Sequence, residues 1–356
     1  MTIVHVLQDI RKTDGISEFV RNLLVQQCAQ ENCSCYFLHQ EHGVFEGEWN
    51  QRIPVFESNG TLDCLGFMPD VVHVHGVWSL FSVRAMAWCR KYGVKYIVSP
   101  HGGLMQRVLN KGRVKKRCFY WLLLRRCLNK AAAIHCTGEG ERDAVANLKL
   151  RVSSFCVPLG CKLPIWPIER NWSNCKEILF LSRISEEKGL LVLLEAWKNI
   201  EHNGWRLILA GPSWRGYREK LEKIATAEKI TDVSFAGPAD SMKKDELYRS
   251  AALFVLPSPM ENFSLVVLDA LAYGLPVICT KGTPWKCIAE NGCGWWIDSN
   301  SSYALSSALK EAFGRHPVDF PEMGGKAREL AEKFSWANVS RMLLQAYHKE
   351  LSTAIK

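Results

Sequence analysis

Short apolar runs alternate along this chain with longer stretches in which apolar residues recur every three or four positions. In the first half, Ile3–Leu7, Cys35–His39, Val71–His75, Tyr96–Pro100, Ala132–Cys136 and Phe155–Pro158 read as strands, with helices at Ile16–Ala29 and Phe81–Tyr92. Strands that are apolar on both faces and separated by helices predict a parallel, doubly wound sheet. Proline and tryptophan crowd Pro158–Trp172, where both patterns fail, and this stretch reads as a linker. A second alternation follows. Its strands are Ile178–Ser182, Arg206–Ala210, Val233–Ala236, Leu253–Leu256, Pro276–Cys279 and Trp295–Ile297. Its helices are Leu190–Ile200, Tyr217–Lys229, Lys244–Ala252 and Ser264–Tyr273. Helical runs at Ser302–Phe313, Gly325–Phe334 and Trp336–Leu351 complete the chain, with Ser335 as N-cap of the last. The expectation is an α/β chain of two Rossmann-like domains, residues 1–165 and 166–335, and a terminal helix over 336–356. Ligands of such sheets bind at the carboxyl ends of strands, so a cleft between the domains is the expected site.

Composition fits this picture. A chain of 356 residues, 47% hydrophobic and 23% charged, has the length and balance of two soluble domains. No apolar run approaches the roughly 18 residues of a membrane span. The opening MTIVHVLQDIRK lacks the pattern of a signal peptide, which points to a cytoplasmic protein. The 14 cysteines are scattered, with no Cys-x-x-Cys pair; Cys28, Cys33 and Cys35 lie closest, and all read as free thiols of a reducing compartment. The net charge of +9 is concentrated in Arg107–Lys130, which holds nine basic residues and no acid.

Three stretches carry candidate chemistry. In Pro257–Gly274 (PSPMENFSLVVLDALAYG) a strand runs into a proline-rich loop, then Glu261, then Asn262, Phe263 and Ser264 at the start of a helix, with Asp269 eight positions after Glu261. Two helical turns and a fraction would let both carboxylates face one ligand, and the free amides of a helix start attract anions. Hydroxyls, phosphates and further hydroxyls, in that order, describe a nucleotide-sugar. In SRISEEKG (Ser182–Gly189), Arg183 and Lys188 flank a loop between strand and helix. They suit a diphosphate, on which an Arg fork and a Lys point charge offset the negative charge of a leaving group. A solvated loop with Glu186 or Glu187 paired to Lys188 is the competing reading. In VSPHGG, His101 follows a strand, where a neutral imidazole can donate to a hydroxyl. A lipase oxyanion loop also uses His-Gly-Gly, but the chain has no Gly-x-Ser-x-Gly elbow. His75 reads as a residue at the edge of the acceptor site and His73 as buried, neither with metal-like company. The first loop, Gln8–Ser17, carries Gly15 after Asp14 and lacks Gly-x-Gly-x-x-Gly, which argues against a nicotinamide dehydrogenase.

Together these stretches, spread over most of the chain, resemble the retaining glycosyltransferases of the GT-B fold, family four. The Glu-x7-Glu signature of that family is matched from Glu261, with Asp269 in place of the second Glu. The resemblance implies two Rossmann-like domains facing a cleft and a last helix crossing back onto the first. It implies that Glu261 holds donor-sugar hydroxyls, that Asn262, Phe263 and Ser264 offer backbone amides, and that Asp269 holds the ribose. Arg183 and Lys188 would hold the diphosphate, His101 would lie near the donor sugar, and Gly15 would touch donor or acceptor. Lys281–Trp285 (KGTPW) departs from the family's Gly-rich turn and Glu, so no role is carried there. The implied reaction moves a hexose-type sugar from a UDP- or GDP-sugar to a hydroxyl of a glycan or lipid-linked glycan in surface polysaccharide synthesis. Attack from the same face, assisted by the leaving phosphate, would need neither cofactor nor essential metal. A sugar-nucleotide epimerase, a glycan phosphorylase and a non-catalytic nucleotide- or glycan-binding protein are the alternatives on this fold.

The basic segment stands apart. Val114, Cys118, Trp121, Leu122, Leu124 and Leu128 make a broad apolar side, with most cations opposite. This suits peripheral contact with an anionic membrane, or equally a helix packed on the sheet with a solvated face. No recognition motif supports nucleic-acid binding.

Overall fold

A computed structural model describes residues 1–11, 15–42, 53–110, 113–299 and 301–353. Asp14, within the first loop, and Lys111, in the basic segment, lie outside the described residues, as do the side chains of Arg107 and Arg113. The chain forms two compact units: Met1–Gly160 with Trp336–Lys356, and Cys161–Ser335.

The N-terminal unit is built on seven strands: β1 (Thr2–Val6), β2 (Ser34–Gln40), β3 (Val55–Ser58), β4 (Val71–His75), β5 (Lys95–Ser99), β6 (Ala133–Cys136) and β7 (Ser154–Cys156). They are parallel, in the order β3-β2-β1-β4-β5-β6-β7. The order reverses at β1 and β4, where His5 lies opposite His73 and, one strand further, His75 opposite Ser99. Alternation of side chains then sorts the residues. Val4, Val6, Val72, Val74 and Val98 enter one core, and Ile3, Val71 and Ile97 enter the other. Val71–His75 has no exposed residue, so its two histidines share a buried face with the second core. The final helix, Trp336–Thr353, closes that face with Val339, Leu343 and Tyr347. Gly160 permits the contact, because a Cβ there would meet the Trp336 ring at 2.5 Å.

The C-terminal unit repeats the plan with β8 (Glu177–Leu181), β9 (Arg206–Ala210), β10 (Val233–Gly237), β11 (Leu253–Leu256), β12 (Val277–Thr280) and β13 (Gly294–Ile297). The order is β10-β9-β8-β11-β12-β13, again parallel. Adjacency of β8 and β11 brings the SRISEEKG loop beside the loop that carries Glu261.

The expected strands are all present. β3 and the helix Glu139–Asn147 were not expected: the first is a four-residue edge strand, and the second opens on the polar run EGERD. One helix begins earlier than its pattern suggests, at Asp319 rather than Gly325. Two glycines lie inside it, yet Phe320 and Met323 are buried, and Gly324 lies where a Cβ would press on the Gly274 carbonyl at 2.7 Å. Close packing outweighs propensity here.

Leu343 is fully buried on the last helix, whereas Met342 beside it is 40% exposed. Leu343→Ala should therefore destabilise the protein by about 2–5 kcal/mol, while Met342→Ala should stay within about 0.5 kcal/mol. Urea unfolding of the two variants checks this.

Candidate functional site

In the C-terminal unit the site is assembled from loops at the carboxyl ends of neighbouring strands. Ser182 N–H donates to the Ala210 carbonyl (3.1 Å) and Ile184 N–H to Pro212 (2.9 Å), which fixes the loop after β8 to the loop after β9. The chain then makes a single 3-10 turn over Glu186–Lys188 and passes through Gly189 at φ +72°. A Cβ on Gly189 would stand 2.3 Å from the Pro257 carbonyl, so only glycine lets this loop rest on the end of β11. Gly282 does the same on the other side, where a Cβ would be 1.9 Å from the Pro259 carbonyl, and its own carbonyl accepts from Glu261 N–H at 2.8 Å. Lys188 and Glu261, far apart in sequence, thereby meet: Nζ lies 2.5 Å from Oε1, and the side chains are only 15% and 12% exposed.

Arg183 takes a different course. Its guanidinium lies over the Trp214 ring at 5.1 Å, and its nearest carboxylate is Glu187 at 4.0 Å. Trp214 therefore joins the site, held by its own N–H to the Ile184 carbonyl at 3.0 Å. Nothing in its local sequence marks it, because the contact joins loops after different strands.

The helix beyond Glu261 spans Leu265–Ala272, preceded by Ser264 at φ +69°. Glu261 is thus in the loop at the mouth of the helix, where the sequence placed it, but the eight residues to Asp269 are not continuous helical turns. A left-handed residue separates them, and Asp269 sits about one turn into the helix, where its charge joins burial in pushing the Cys161 thiol up to about 12. Phe263 is buried against Trp285 and Phe334, and its carbonyl accepts from Trp285 Nε1 at 2.5 Å. This gives the divergent KGTPW stretch a scaffolding part. Among the described residues the Phe263 and Ser264 amides meet no acceptor, and the buried Ser264 hydroxyl has no partner. Asn262 is half-buried between Glu261 and Phe263.

In the N-terminal unit His101 follows β5, half-buried and at φ +50°. The loop is held by Glu141, a fully buried carboxylate that accepts from Gly102 N–H, from Thr137 N–H (2.8 Å) and from Thr137 Oγ1 (3.0 Å). Trp78 Nε1 donates to the Gly103 carbonyl at 2.8 Å. Glu141 escapes a sequence reading because its helix has so little apolar pattern. Behind His101 lies a run of imidazoles. Nε2 of His101 is 3.0 Å from Nδ1 of His75, Nε2 of His75 is 2.9 Å from Nδ1 of His5, and Nε2 of His5 is 2.7 Å from Gln27 Oε1. His75, expected at the edge of the acceptor site, is fully buried like His73. Ring nitrogens of His5, His73 and His75 all lie within 4.8 Å of one another, so these two histidines do have ligand-like company, brought by the pairing of β1 with β4. Burial lowers every one of these pKa values: to about 4 for His5 and His135, to about 3 for His101, and well below the ordinary value for His73 and His75. Gly15 opens the helix Gly15–Cys28, whose Phe19 packs on His75 and His101 at 5.9 and 5.3 Å between ring centres, and residues 12–14 before it lie outside the described residues.

Two cavities bear on ligand binding. One of about 460 Å³ lies at the carboxyl ends of β1–β4 and is lined by Gln8, Gln40, Asn59, Trp78 and Arg84. Another, of about 530 Å³, is lined by Lys176, Glu177 and Arg206, at the amino ends of β8 and β9, the end opposite the loops that hold Lys188 and Glu261.

The basic segment forms a helix over Arg113–Phe119, a π-helical turn over Tyr120–Leu124 and a short helix over Arg125–Leu128. Its apolar residues divide. Leu124 and Leu128, expected beside Trp121 and Leu122, are in the core, while Val114 (76%), Trp121 (58%) and Leu122 (77%) are exposed. The π turn shifts the helical register between the two sets. Arg125 is tied down by the Leu148 and Lys149 carbonyls at 3.0 and 3.2 Å and lies over Trp121 at 4.8 Å.

The lowered histidine pKa values set a pH dependence. Below about pH 6.5 the unfolded chain binds protons that the folded cluster refuses, so stability falls as the pH drops toward 4. Each such histidine contributes a slope of up to about 1.4 kcal/mol per pH unit in that window. Calorimetry should show the melting temperature falling steeply from pH 6.5 to 4.5, with a shallower fall in His135→Gln; equal slopes would contradict a buried neutral His135.

Comparison with known proteins is consistent with both halves. Residues 167–317 match the glycosyl transferases group 1 family, and residues 55–160 match the glycosyl transferase 4-like domain. The chain is 25% identical over 288 residues to the GDP-mannose:cellobiosyl-diphosphopolyprenol alpha-mannosyltransferase of Xanthomonas campestris, covering 80% of this chain and 75% of that one. It is 28% identical over 176 residues to an uncharacterized glycosyltransferase of Methanocaldococcus jannaschii, covering 48% of this chain and 44% of that one. It is 30% identical over 183 residues to D-inositol 3-phosphate glycosyltransferase of Mycolicibacterium smegmatis, covering 50% and 41%. The chain thus matches less than half the length of the last two. Sucrose-phosphate synthase from Thermosynechococcus elongatus shares the fold, with a TM-score of 0.77 at 16% identity over 99% of both chains. So does Anabaena HepE in complex with UDP, with a TM-score of 0.77 at 15% identity over 98% of this chain and 100% of that one. With one domain match in each unit and the same parallel sheets, the chain carries a group 1 glycosyl transferase domain and a glycosyl transferase 4-like domain on the GT-B fold.

Proposed function

We propose that the chain is a retaining glycosyltransferase that moves a hexose-type sugar from a UDP- or GDP-sugar to a hydroxyl of a glycan or lipid-linked glycan in surface polysaccharide synthesis. The observation that carries this reading is the Lys188–Glu261 pair, a cation and a carboxylate held together with little solvent at the carboxyl ends of β8 and β11. A phosphate next to a sugar hydroxyl matches that pair: Lys188 turns to the phosphate, and Glu261 accepts from the hydroxyl. Arg183, the Phe263 and Ser264 amides, and in part Asn262 take the remaining diphosphate oxygens, and Asp269 accepts from the ribose. As the bond from the anomeric carbon to the diphosphate oxygen breaks, negative charge grows on the leaving group, and these donors stabilise it without reorganising. The acceptor hydroxyl attacks from the face being vacated and gives its proton to the departing phosphate. Those charges do the electrostatic work of a metal ion, and the reading includes no cofactor.

The N-terminal unit takes the acceptor. The cavity of about 460 Å³ offers amides, a guanidinium and an indole, groups suited to hydroxyl-rich ligands. Val114, Trp121 and Leu122, next to Lys115, Arg117 and Arg126, form the surface for an anionic membrane that carries the acceptor. No described helix is long and apolar enough to cross a membrane. Two relatives support the substrate classes: the solved HepE structure contains UDP, and the Xanthomonas relative is named for GDP-mannose and a diphosphopolyprenol-linked sugar.

Thermal shift with UDP, GDP, ADP and NAD tests the donor site, because a ligand that binds only the native state raises its melting temperature. UDP or GDP should stabilise the protein. Lys188→Gln, which still donates to Glu261 but has no charge, should weaken that binding by about tenfold or more, the worth of a charge-assisted bond. No shift with any nucleoside diphosphate, or a shift with NAD alone, would refute the assignment. Product formed without an acceptor would instead identify an epimerase. For the membrane surface, sedimentation with phosphatidylglycerol vesicles should exceed that with phosphatidylcholine, fall with added salt, and drop in the Trp121→Ala, Leu122→Ala double variant; equal binding to both lipids would remove the anionic surface from the reading.

A further inference from the structure

The hydrogen bonds of the N-terminal unit fix where every proton of its histidine cluster sits. The Val157 carbonyl can only accept, so Nε2 of His135, 2.8 Å away, carries the hydrogen. Neutral His135 then has a bare Nδ1, which takes the Ser99 hydroxyl hydrogen at 2.7 Å. Ser99 Oγ, its hydrogen committed, accepts from Nε2–H of His73 at 2.6 Å. Nδ1 of His73 is therefore bare and accepts from the Tyr347 hydroxyl at 2.5 Å. The Gln27 amide presents its Oε1 to two donors, Nε2 of His5 at 2.7 Å and Sγ of Cys35 at 3.8 Å, while its Nε2 meets no hydrogen-bond partner among the described residues.

The second half follows from the amide oxygen, which only accepts. Nε2 of His5 holds the hydrogen at 2.7 Å from Gln27 Oε1, leaving Nδ1 bare. Nε2–H of His75 donates to it at 2.9 Å, and Nδ1 of His75 accepts from Nε2–H of His101 at 3.0 Å. Reversing any link would set two lone pairs against each other at His135 or Gln27. A metal ion on His5, His73 and His75 would need lone pairs already committed: His73 is engaged at both nitrogens, and His5 and His75 share one hydrogen. What remains is Nδ1 of His101, the one imidazole of the series that is half-buried rather than buried, at the carboxyl end of β5.

We propose that Gln27, His5 and His75 are positioning residues that hold His101 as its Nε2–H tautomer, so that Nδ1 acts as an acceptor for a hydroxyl of the sugar substrate. The hydroxyl as ligand rests on the glycosyltransferase reading; the tautomer does not. The chain also sets a specificity rule. A sugar with fluorine in place of that hydroxyl cannot donate and is rejected as strongly as the deoxy sugar, whereas a donating His101 would tolerate the fluorine.

Long-range ¹H–¹⁵N spectra of the histidine-labelled full chain at pH 7 read the tautomers directly. His5, His75 and His101 should each show a protonated Nε2 and a bare Nδ1. Gln27→Glu keeps an acceptor oxygen for His5 and should keep the pattern. Gln27→Met removes it, so an Nδ1–H form of His101 should appear. Its kcat/KM with the nucleotide-sugar identified by thermal shift should fall about fivefold to tenfold, the worth of one hydrogen bond, with UDP or GDP affinity unchanged. An Nδ1–H or doubly protonated His101 in the wild type overturns the proposal. So does an unchanged tautomer in Gln27→Met, or zinc found in stoichiometric amount by elemental analysis. If Gln27→Met does not fold, the wild-type and Gln27→Glu spectra still decide. The expected tautomers with no turnover of any nucleotide-sugar would defeat the glycosyltransferase reading and leave the proton arrangement standing.

Discussion

A polar group taken out of water must find a partner inside the protein, because leaving it without one costs about 1–3 kcal/mol and more for a charge. Both units of this chain place polar groups where water is scarce, and each site follows from how that demand is met. In the N-terminal unit, imidazoles from β1, β4 and β6 point into a face closed by Phe19, Trp336 and Tyr347. They give up their charge and bond to one another. In the C-terminal unit Lys188 and Glu261 meet as an ion pair with little solvent around it. The first solution fixes directions of donation; the second stores a cation and a carboxylate that a ligand can separate.

The two solutions have different chemical uses. A neutral hydrogen-bonded chain has one consistent arrangement and little freedom, so what it sets at one end holds at the other. A partly buried ion pair is close to balance between desolvation and Coulomb attraction. Little net energy is therefore needed for Lys188 to exchange Glu261 for a phosphate, provided the phosphate compensates in full. Arg183 is held more loosely, over Trp214, and can move to a ligand without breaking a buried bond. The glycines at 189 and 282 matter because they let backbones approach closely enough for these side chains to meet.

Much of the fold was legible in the sequence. Strands buried on both faces read as unbroken apolar runs, and helices between them read as periodic ones, so the doubly wound plan of both units could be stated from pattern alone. The elements that escaped are those with weak patterns, the edge strand Val55–Ser58 and the polar helix Glu139–Asn147. The helix from Asp319 starts ahead of its apolar pattern because packing of Gly324 against Gly274 carries it through two poor helix formers. At the site, Glu261, Lys188, Arg183 and His101 stood out because charged or basic residues follow strands in loops. Trp214, Glu141, Gln27 and His5 did not, since each acts on a residue distant in sequence.

The sequence by itself determined the class of fold, the positions of the loops that carry chemistry, and the types of group they offer, because strand burial and loop position are local properties of the chain. Only the tertiary structure decided which groups meet. Strand order, which no single strand records, set β8 beside β11 and so Lys188 against Glu261; it set β1 beside β4 and so His5 against His75. It also placed Leu124 and Leu128 in the core while leaving Trp121 and Leu122 outside, through a π turn that the apolar pattern does not show. Pairing, burial and protonation state are properties of neighbours in space, and those neighbours exist only once the chain has folded.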